Sequence, residues 1–340
     1  MSHSTTPLKV AIVRCPPPNW PLPLANRCWD GITINIDQCV SAAIEHINQA
    51  KANGAELVTF PELWFPGFPK WREQNNWKET HLAQYIDNSM VVGGEQWNRL
   101  IDAIKTVGVW TSLGFSERAG DHIYMSQALI SNVGEIVIHR HKLRPSGSER
   151  DMFSDGTIDQ FYCVNSAIGR VSMMECGEHF YPSMTFPMAA QRPKLHIGAF
   201  PYVTDYKDTA ESFWFNAELT SNLAASFAFL SGAHVIMPAI GYAFIFDPMT
   251  RKVAEIKDEV PYSEQPILYH TLNIDMSSNV PTHDPDCQVS YGTLRQINES
   301  FPAYIPKNEG SLTTHRKVSC DLLKKGNWEW CETGPGTPAK

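Results

Sequence analysis

Three residues of this chain have side chains that could act together in nucleophilic catalysis: Glu62, Lys142 and Cys176. Each lies where a β-like run gives way to a turn, so each could be held at the end of a strand. A thiol attacks carbon only as the thiolate, which needs a base to take its proton and a positive charge nearby. The Glu62 carboxylate and the Lys142 ammonium meet those needs. We therefore expect the pKa of Cys176 to be lowered and its thiol to react ahead of the other cysteines.

Taken singly, each of the three has an ordinary explanation, as a surface carboxylate, a solvated charge or a buried thiol. The surrounding prolines, glycines and aromatic residues are harder to explain in that way. The strings 60–69 (FPELWFPGFP), 142–150 (KLRPSGSER) and 176–182 (CGEHFYP) resemble, in the same order, the three catalytic motifs of the nitrilases. The chain thus resembles the nitrilase superfamily of carbon–nitrogen hydrolases, on its nitrilase and cyanide hydratase branch.

The resemblance implies an α/β fold, the four-layer α-β-β-α sandwich of the superfamily. A carbon–nitrogen hydrolase domain would span residues 7–275. Residues 276–340 would form a partly irregular C-terminal extension that serves oligomerisation, and 334–340 (GPGTPAK) are expected to be disordered. The implied partners are a small-molecule nitrile as substrate and further copies of the chain, in a homo-oligomer built from dimers that could extend into a helical filament.

The leading function that the resemblance implies is hydrolysis of an organic nitrile to the carboxylic acid and ammonia. Glu62 would take the proton of Cys176, and the thiolate would form a thioimidate and then a thioester. Lys142 would stabilise the developing negative charge, with the backbone N–H of Gly177. Alternatives within the same chemistry are hydration of a nitrile or cyanide to an amide, and amide hydrolysis. A silent assembly protein is a further alternative, which retention of all three residues argues against.

Four more residues are assigned to the site by their positions in the motifs. Glu149 matches an additional glutamate of the family that helps to position Lys142 and water, although an ion pair with a neighbouring arginine would explain it as well. Gly177, His179 and Trp64 are predicted to contact the substrate, and His179 is expected to orient the site rather than to take part in the chemistry.

The chain departs from the family pattern at three positions. Gly177 stands where most nitrilases have tryptophan, and this predicts a wider pocket beside the reacting carbon. Glu175 would raise the pKa of the adjacent thiol if it faced inward, so we expect it to point away. Leu230 stands where the family usually has a glutamate. These changes leave the attack chemistry intact and the choice between acid and amide open.

Strand-like and helix-like segments alternate along the chain, with several hairpins, which predicts an α/β architecture with mixed sheets. Apolar residues recur at helical spacing over 37–52, 95–107 and 211–230. The polar and aromatic stretch 70–87 is typical of a surface excursion near the site. Short apolar runs bounded by turn residues predict strands at 9–14, 56–60, 109–115, 124–131, 135–141, 170–175, 194–200 and 234–239.

The composition is that of an ordinary globular protein, with 43% hydrophobic and 19% charged residues among 340. A formal net charge of −8 and the lack of a basic cluster argue against a nucleic-acid partner. No apolar run approaches the roughly 18 residues of a membrane helix, and residues 1–9 show no secretion pattern. The cysteines form no Cys-x-x-Cys pair, so neither a zinc ribbon nor a disulfide framework is expected. A cytoplasmic location is the default prediction.

No metal site and no cofactor are predicted. His139 and His141 share one face of a predicted strand, but their string contains no carboxylate or cysteine partner at ligand spacing. A solvated strand edge is the simpler explanation. The sequence also has no glycine-rich phosphate loop after its first strand and no Gly-x-Ser-x-Gly motif of a serine hydrolase.

Overall fold

The architecture is built on two six-stranded sheets within the part of the chain that the computed structural model describes. The described residues are 7–73, 76–205, 213–275, 291–300, 315–327 and 330–333. The predicted disorder of residues 334–340 falls outside them, as does most of the irregular part of the extension.

The first sheet is mixed. Its parallel core is β1, β2 and β3, and antiparallel strands complete both edges. In spatial order the strands are β14 (Ile267–Leu272), β1 (Leu8–Val13), β2 (Leu57–Thr59), β3 (Trp110–Ala119), β4 (His122–Ile130) and β5 (Ile136–His141).

The second sheet has the same plan, a parallel core of three strands with antiparallel strands on both sides. In spatial order its strands are β13 (Lys252–Ile256), β12 (Ala243–Phe246), β10 (His234–Met237), β8 (Leu195–Ala199), β7 (Gly169–Glu175) and β6 (Val164–Ser166). Two small ribbons accompany the sheets, and they pair β9 (Tyr202–Val203) with β11 (Ile240–Gly241) and β15 (His315–Val318) with β16 (Trp330–Thr333).

Eight α-helices lie among the described residues. They are α1 (Ile36–Ala52), α2 (Trp77–Thr80), α3 (Leu82–Asp87), α4 (Glu95–Val107), α5 (Pro182–Ala189), α6 (Ala217–Ser231), α7 (Tyr291–Ser300) and α8 (Cys320–Lys324). Helices α1 and α4 share an apolar core with the first sheet, and α5 and α6 share another with the second. A third core fills the space between the sheets. The predicted α-β-β-α sandwich is confirmed.

Most predicted elements occur within a few residues of their predicted bounds. The helix predicted at 95–107 is α4, and α1 begins where the Asn35 side chain accepts a hydrogen bond from the Gln38 backbone. Strand β3 runs four residues beyond its predicted end at 115, because polar residues that hide the apolar pattern pair with β4. The first residues of the helix predicted from 211 lie outside the described part, and α6 begins at Ala217.

The stretch 70–87 is a surface excursion only in part, because Glu79, Thr80 and Asp87 are exposed but other residues are not. Helices α2 and α3 bury Trp77, Leu82 and Tyr85 against the body of the protein. The Trp77 ring packs edge-on against Trp29 at 5.8 Å and against Tyr85 at the same distance. Aromatic side chains allow this segment to pack against the core. The composition does not reveal this packing, because polar residues alternate with the aromatic ones along the sequence.

Part of the C-terminal extension returns to the main body. Val318, Cys320 and Leu323 are buried and belong to the core beneath the first sheet's helices. The Cys320 backbone N–H donates to the carbonyl of Asp121 at 2.7 Å, and the His122 ring contacts the Val318 carbonyl at 2.8 Å. An oligomerisation role for residues 276–340 stays a prediction.

Strand direction places the carboxyl ends of β2 and β5 at the same end of the first sheet. Strands β2 and β5 run parallel, because β3 is parallel to β2 and both β3 and β5 pair antiparallel with β4. The residues that follow them, Glu62 shortly after β2 and Lys142 directly after β5, therefore lie at one end of the sheet. The Glu62 backbone N–H donates to the Phe200 carbonyl just after β8, which ties this end to the second sheet.

Gly114 lets the turn that carries Glu62 lie against β3. A Cβ at this glycine would stand 2.9 Å from the Glu62 Cα and closer still to the Pro61 carbonyl. We expect Gly114→Ala to lower the free energy of unfolding by about 1–3 kcal/mol, because the turn must shift away from the strand. Urea unfolding measures this, with Ser112→Ala on the same face of β3 as the control. Equal stability of the two variants would contradict the close approach.

Candidate active site

A buried ammonium lies between two carboxylates. Lys142 Nζ donates to Glu62 Oε1 and to Glu149 Oε2, both at 2.9 Å, and all three side chains are almost completely shielded from solvent. The structure thus brings together three of the residues that the sequence assigned to the site. Glu149 does not pair with Arg150, which instead contacts Asp155 at 2.8 Å.

The charge of Lys142 is maintained by its two partners. Burial by itself would lower the pKa of the amine, but the Glu149 and Glu62 carboxylates outweigh it and raise that pKa well above its usual value. Glu149 is fixed in turn, since its Oε2 also accepts a hydrogen bond from the Ser146 backbone at 2.6 Å. The lysine is therefore a permanent cation inside the protein.

Glu62 has one oxygen bound and one free. Oε1 contacts Lys142, whereas Oε2 is buried and has no hydrogen-bond partner among the described residues. Burial, together with the neighbouring Glu175 and Glu149, raises the pKa of Glu62 well above its ordinary value against the opposing effect of Lys142. A carboxylate with a raised pKa and a free oxygen is suited to accept a proton.

Cys176 begins a 3₁₀ turn, Cys176–Phe180, directly after β7. Its φ of 32° is in the left-handed region, which a residue with a side chain enters only under constraint from its surroundings. Burial and the Glu62 charge raise the pKa of the thiol well above its usual value, although Lys142 opposes them. The predicted lowering of this pKa is therefore wrong for the resting protein. The thiol rests protonated and needs a base to become a nucleophile.

A buried ion pair joins the two sheets beside these residues. Arg140 Nη2 donates to Glu178 Oε1 at 2.6 Å, and both side chains are within 1% of complete burial. Glu178 also accepts from the backbone N–H of Leu143 and of Glu175, each at 2.8 Å. One carboxylate thus holds the residue after Lys142 and the residue before Cys176. Arg140 was not predicted as a site residue from the sequence, although it lies two residues before Lys142 and on the same face of β5.

His179 is part of a chain of hydrogen bonds that ends on the backbone of Cys176. The His179 Nδ1 contacts the Cys176 carbonyl at 3.0 Å, its Nε2 contacts His196 Nε2 at 2.9 Å, and His196 Nδ1 contacts Ser172 Oγ at 2.7 Å. Burial lowers the pKa of His179 to about 4, so the ring is neutral. Because a carbonyl only accepts, His179 carries its proton on Nδ1, and His196 donates to its Nε2.

Two residues assigned to substrate contact do not line the cavity next to Cys176. Trp64 is completely buried, donates to the Cys15 carbonyl at 2.9 Å and packs against Phe60. His179 belongs to the 3₁₀ turn, but its ring contacts the buried His196 and does not line the cavity. Both predictions are wrong, because a motif gives the position of a side chain along the chain and not the direction in which it points.

The cavity in front of Cys176 measures about 350 Å³, at the lower end of the usual size of small-molecule sites. Cys176, Gly177 and Glu149 are among its lining residues. About half of the lining residues are aromatic, namely Phe68, Trp71, Phe180, Tyr181, Tyr202, Trp214 and Phe215.

Gly177 lines this cavity and contacts the turn that carries Glu149. A Cβ at residue 177 would overlap the hydroxyl group of Ser146, so Ser146 must move if residue 177 gains a side chain. Leu230, by contrast, is packed against the apolar core beneath α6 and does not line the cavity.

Glu175 is completely buried and lies on the same side of β7 as Val171 and Met173, which face the core between the sheets. Neither of its carboxyl oxygens has a hydrogen-bond partner within the described ranges. Burial raises the pKa of Glu175 to about 8, and the carboxyl group contributes to the raised pKa of Cys176. The expectation that this residue would point away without affecting the thiol is wrong.

Glu175 should make the stability of the protein depend on pH. The folded protein keeps the proton up to about pH 8, whereas the unfolded chain releases it near the ordinary value of 4.5. Over that window the unfolded state binds fewer protons, so the free energy of unfolding falls as pH rises, by up to about 1.4 kcal/mol per pH unit. Glu175→Gln removes this contribution, because the amide is neutral in both states.

The measurement is denaturant unfolding between about pH 5 and pH 8. We expect the free energy of unfolding to fall less steeply with pH for Glu175→Gln than for the unmodified protein. Glu135→Gln, which replaces an exposed glutamate in the turn between β4 and β5, controls for the loss of a surface carboxylate. Identical slopes in all three proteins would show that Glu175 is ionised in the folded state at neutral pH.

The sequence matches a protein family and several known proteins. A family model described as carbon-nitrogen hydrolase matches residues 9–279. The chain is 29% identical over 268 residues to an arylacetonitrilase of Aspergillus kawachii, a match that covers 72% of this chain and 81% of that protein. It is 33% identical over 177 residues to a cyanide hydratase of Alternaria brassicicola, covering 51% of this chain and 48% of that protein.

A solved structure of a carbon-nitrogen hydrolase from Helicobacter pylori is similar in fold, with a TM-score of 0.64. The match covers 88% of this chain and 100% of that chain. The sequence identity is 16%, so this likeness concerns the fold alone.

Proposed function

Because this chain belongs to the carbon–nitrogen hydrolase family, we propose that it hydrolyses an organic nitrile to the carboxylic acid and ammonia. The observation that carries the proposal is the buried Lys142 ammonium, held between Glu62 and Glu149 beside the Cys176 thiol. Burying four ionisable groups together opposes stability, and such clusters are typical of catalytic sites. A silent assembly protein would gain nothing from this arrangement.

The reaction begins with transfer of the Cys176 proton to the free Oε2 of Glu62. The sulfur then attacks the nitrile carbon, one C–N π bond breaks, and the nitrogen takes up the proton to give a thioimidate. Lys142 stabilises the negative charge that develops on the nitrogen. Glu62 acts first as base and then as acid, for which its raised pKa is suited.

Two water molecules complete the reaction. The first adds to the thioimidate carbon with the help of Glu62, the C–N bond breaks, and ammonia leaves with a proton to give a thioester. The second adds to the thioester, and the C–S bond breaks to release the acid and the thiol. Glu149 keeps Lys142 in place throughout, because its Oε2 accepts a hydrogen bond from Lys142 Nζ at 2.9 Å while Oε2 of Glu62 stays available for the proton.

The cavity walls favour an aryl or arylalkyl nitrile as substrate. Phe180 and Trp214 pack edge-on at 5.4 Å, and Tyr202 stacks on Phe215 at 4.2 Å. Such rings offer apolar faces and edges to another ring at low cost in side-chain entropy. The substrate named in the A. kawachii relative's description, an arylacetonitrile, agrees with this choice.

Several further assignments are proposals from the sequence. They are assembly into homo-oligomers built from dimers, with a helical filament as one form, and a cytoplasmic location. Among the residues that the structure describes, no helix combines the length and the apolar character that crossing a membrane requires.

Replacement of the nucleophile tests the proposed reaction. Cys176→Ala should reduce kcat/KM for phenylacetonitrile by more than about 10⁴-fold, because no other group can form the covalent intermediate. The matched control is Cys163→Ala, since Cys163 is a half-buried cysteine outside the cavity. Ammonia release and chromatography of the acid measure activity, and intact-mass analysis detects the adduct on Cys176. Turnover in the Cys176→Ala protein would rule out the mechanism.

A second candidate outcome, release of an amide, is favoured by Gly177. The tetrahedral adduct formed by the first water gives the thioester if ammonia leaves and the amide if the thiol leaves. Without a side chain at residue 177 the adduct has room to turn its nitrogen away from Glu62 and Lys142. We expect an amide by-product from bulky nitriles for this reason.

A double-mutant cycle at Gly177 and Ser146 tests this control of the product. Gly177→Ala alone should lower kcat/KM, because the added Cβ displaces Ser146 and with it the turn that binds Glu149. Gly177→Ala with Ser146→Ala should recover most of the activity and give a smaller amide fraction. We expect a coupling of at least about 1 kcal/mol between the two changes. Additive effects and an unchanged ratio of acid to amide would contradict the proposed role of the glycine.

A further inference from the structure

A second cluster of polar side chains lies on the other face of β5 from the active site. His139 and His141 point away from the space between the sheets, whereas Arg140 and Lys142 point into it. The string around the two histidines has no carboxylate at ligand spacing. The fold supplies one, because β3 carries Glu117 to the same place, 22 residues before His139.

The three side chains converge on one point. Glu117 Oε2 lies 2.7 Å from His139 Nε2 and 3.2 Å from His141 Nε2, and the candidate ligand atoms all lie within 4.8 Å of one another. Tetrahedral zinc with bonds of about 2.0–2.1 Å holds its ligand atoms about 3.3 Å apart. The arrangement is therefore close to three corners of a zinc site and needs only small side-chain movements to complete it.

The rings are held in this orientation by their neighbours. His141 is stacked on Tyr124 with 4.0 Å between ring centres, and His139 is stacked on Phe115 at 6.3 Å. Ser126 Oγ donates to Glu117 Oε2 at 2.8 Å, a supporting contact of the kind that orients carboxylate ligands in metal sites. Oε2 of Glu117 thus has three polar contacts, with Ser126, His139 and His141. A bound cation would instead be ligated by this oxygen and by one nitrogen of each imidazole.

Charge and exposure also suit a cation. The Glu117 side chain is 6% exposed and brings an acidic group to the two imidazoles. The His139 side chain is 32% exposed and that of His141 17%, which gives an ion a path from solvent and leaves room for water as a fourth ligand.

We propose that Glu117, His139 and His141 form a binding site for a divalent transition-metal cation, with Zn²⁺ as the best fit to two imidazoles and one carboxylate. Bound there, the ion joins β5 to β3 across β4, next to the strand end from which Lys142 extends. Its ligands face away from Cys176, so it acts on stability and takes no part in the reaction.

The test is zinc titration of the full chain without a polyhistidine tag, after treatment with EDTA and dialysis. A Cys176→Ala background removes the active-site thiol as a competing ligand. We expect one Zn²⁺ per chain by calorimetry and an increase in Tm on addition of zinc, because an ion that binds only the folded state stabilises it. His139→Ala, His141→Ala and Glu117→Gln should each weaken binding at least about tenfold. His270→Ala, at the opposite edge of the same sheet, is the matched control and should bind zinc normally.

X-ray absorption at the zinc edge gives a second measurement that needs no variant. A shell of two imidazoles with oxygen ligands supports the proposal, and a shell containing sulfur overturns it. The proposal also fails if the unmodified protein binds no zinc, or if the histidine variants bind it as well as His270→Ala does. None of these outcomes depends on nitrile hydrolysis.

Discussion

The buried ion pair between Arg140 and Glu178 is the contact on which the geometry of the site depends. Cys176 follows a strand of the second sheet and Lys142 a strand of the first. Apolar contacts between the sheets are non-directional, so by themselves they would allow small shifts of one sheet relative to the other. Glu178 prevents this, because its two oxygens accept from Arg140 and from backbone groups next to Lys142 and Cys176. Loss of either partner would leave a buried charge uncompensated, at about 3–5 kcal/mol.

The balance of charges within the site determines which of its groups are protonated in the resting protein. Lys142 is the cation that faces Glu62 and Glu149, and burial strengthens every one of these interactions. The same burial keeps the Cys176 thiol and the Glu175 carboxyl group protonated at rest, since a further negative charge would be costly there. In the proposed reaction, the thiolate of Cys176 therefore forms only when Glu62 accepts its proton.

Alternation along β5 separates two polar clusters that the sequence presents as one charged string. His139, Arg140, His141 and Lys142 follow one another directly, yet successive side chains leave opposite faces of a strand. The two inward residues contact Glu178 and Glu62 at the end of the sheets where the candidate active site lies. The two outward residues meet Glu117 and two aromatic rings on the other face. A single strand end thus supports both the proposed reaction and the proposed zinc site.

The sequence by itself determined the family, the layered fold and which residue types stand at the strand ends, because these are recorded in local strings and in apolar periodicity. Glu62, Lys142, Glu149 and Cys176 could be named from such strings. Tertiary structure decided everything that depends on direction and distance: that Trp64 lies in the core and that the His179 ring contacts His196 instead of lining the cavity. It also decided the pKa of Cys176, since burial outweighs the nearby ammonium. Contacts such as Glu117 with His139 join residues far apart along the chain, and no local pattern encodes them.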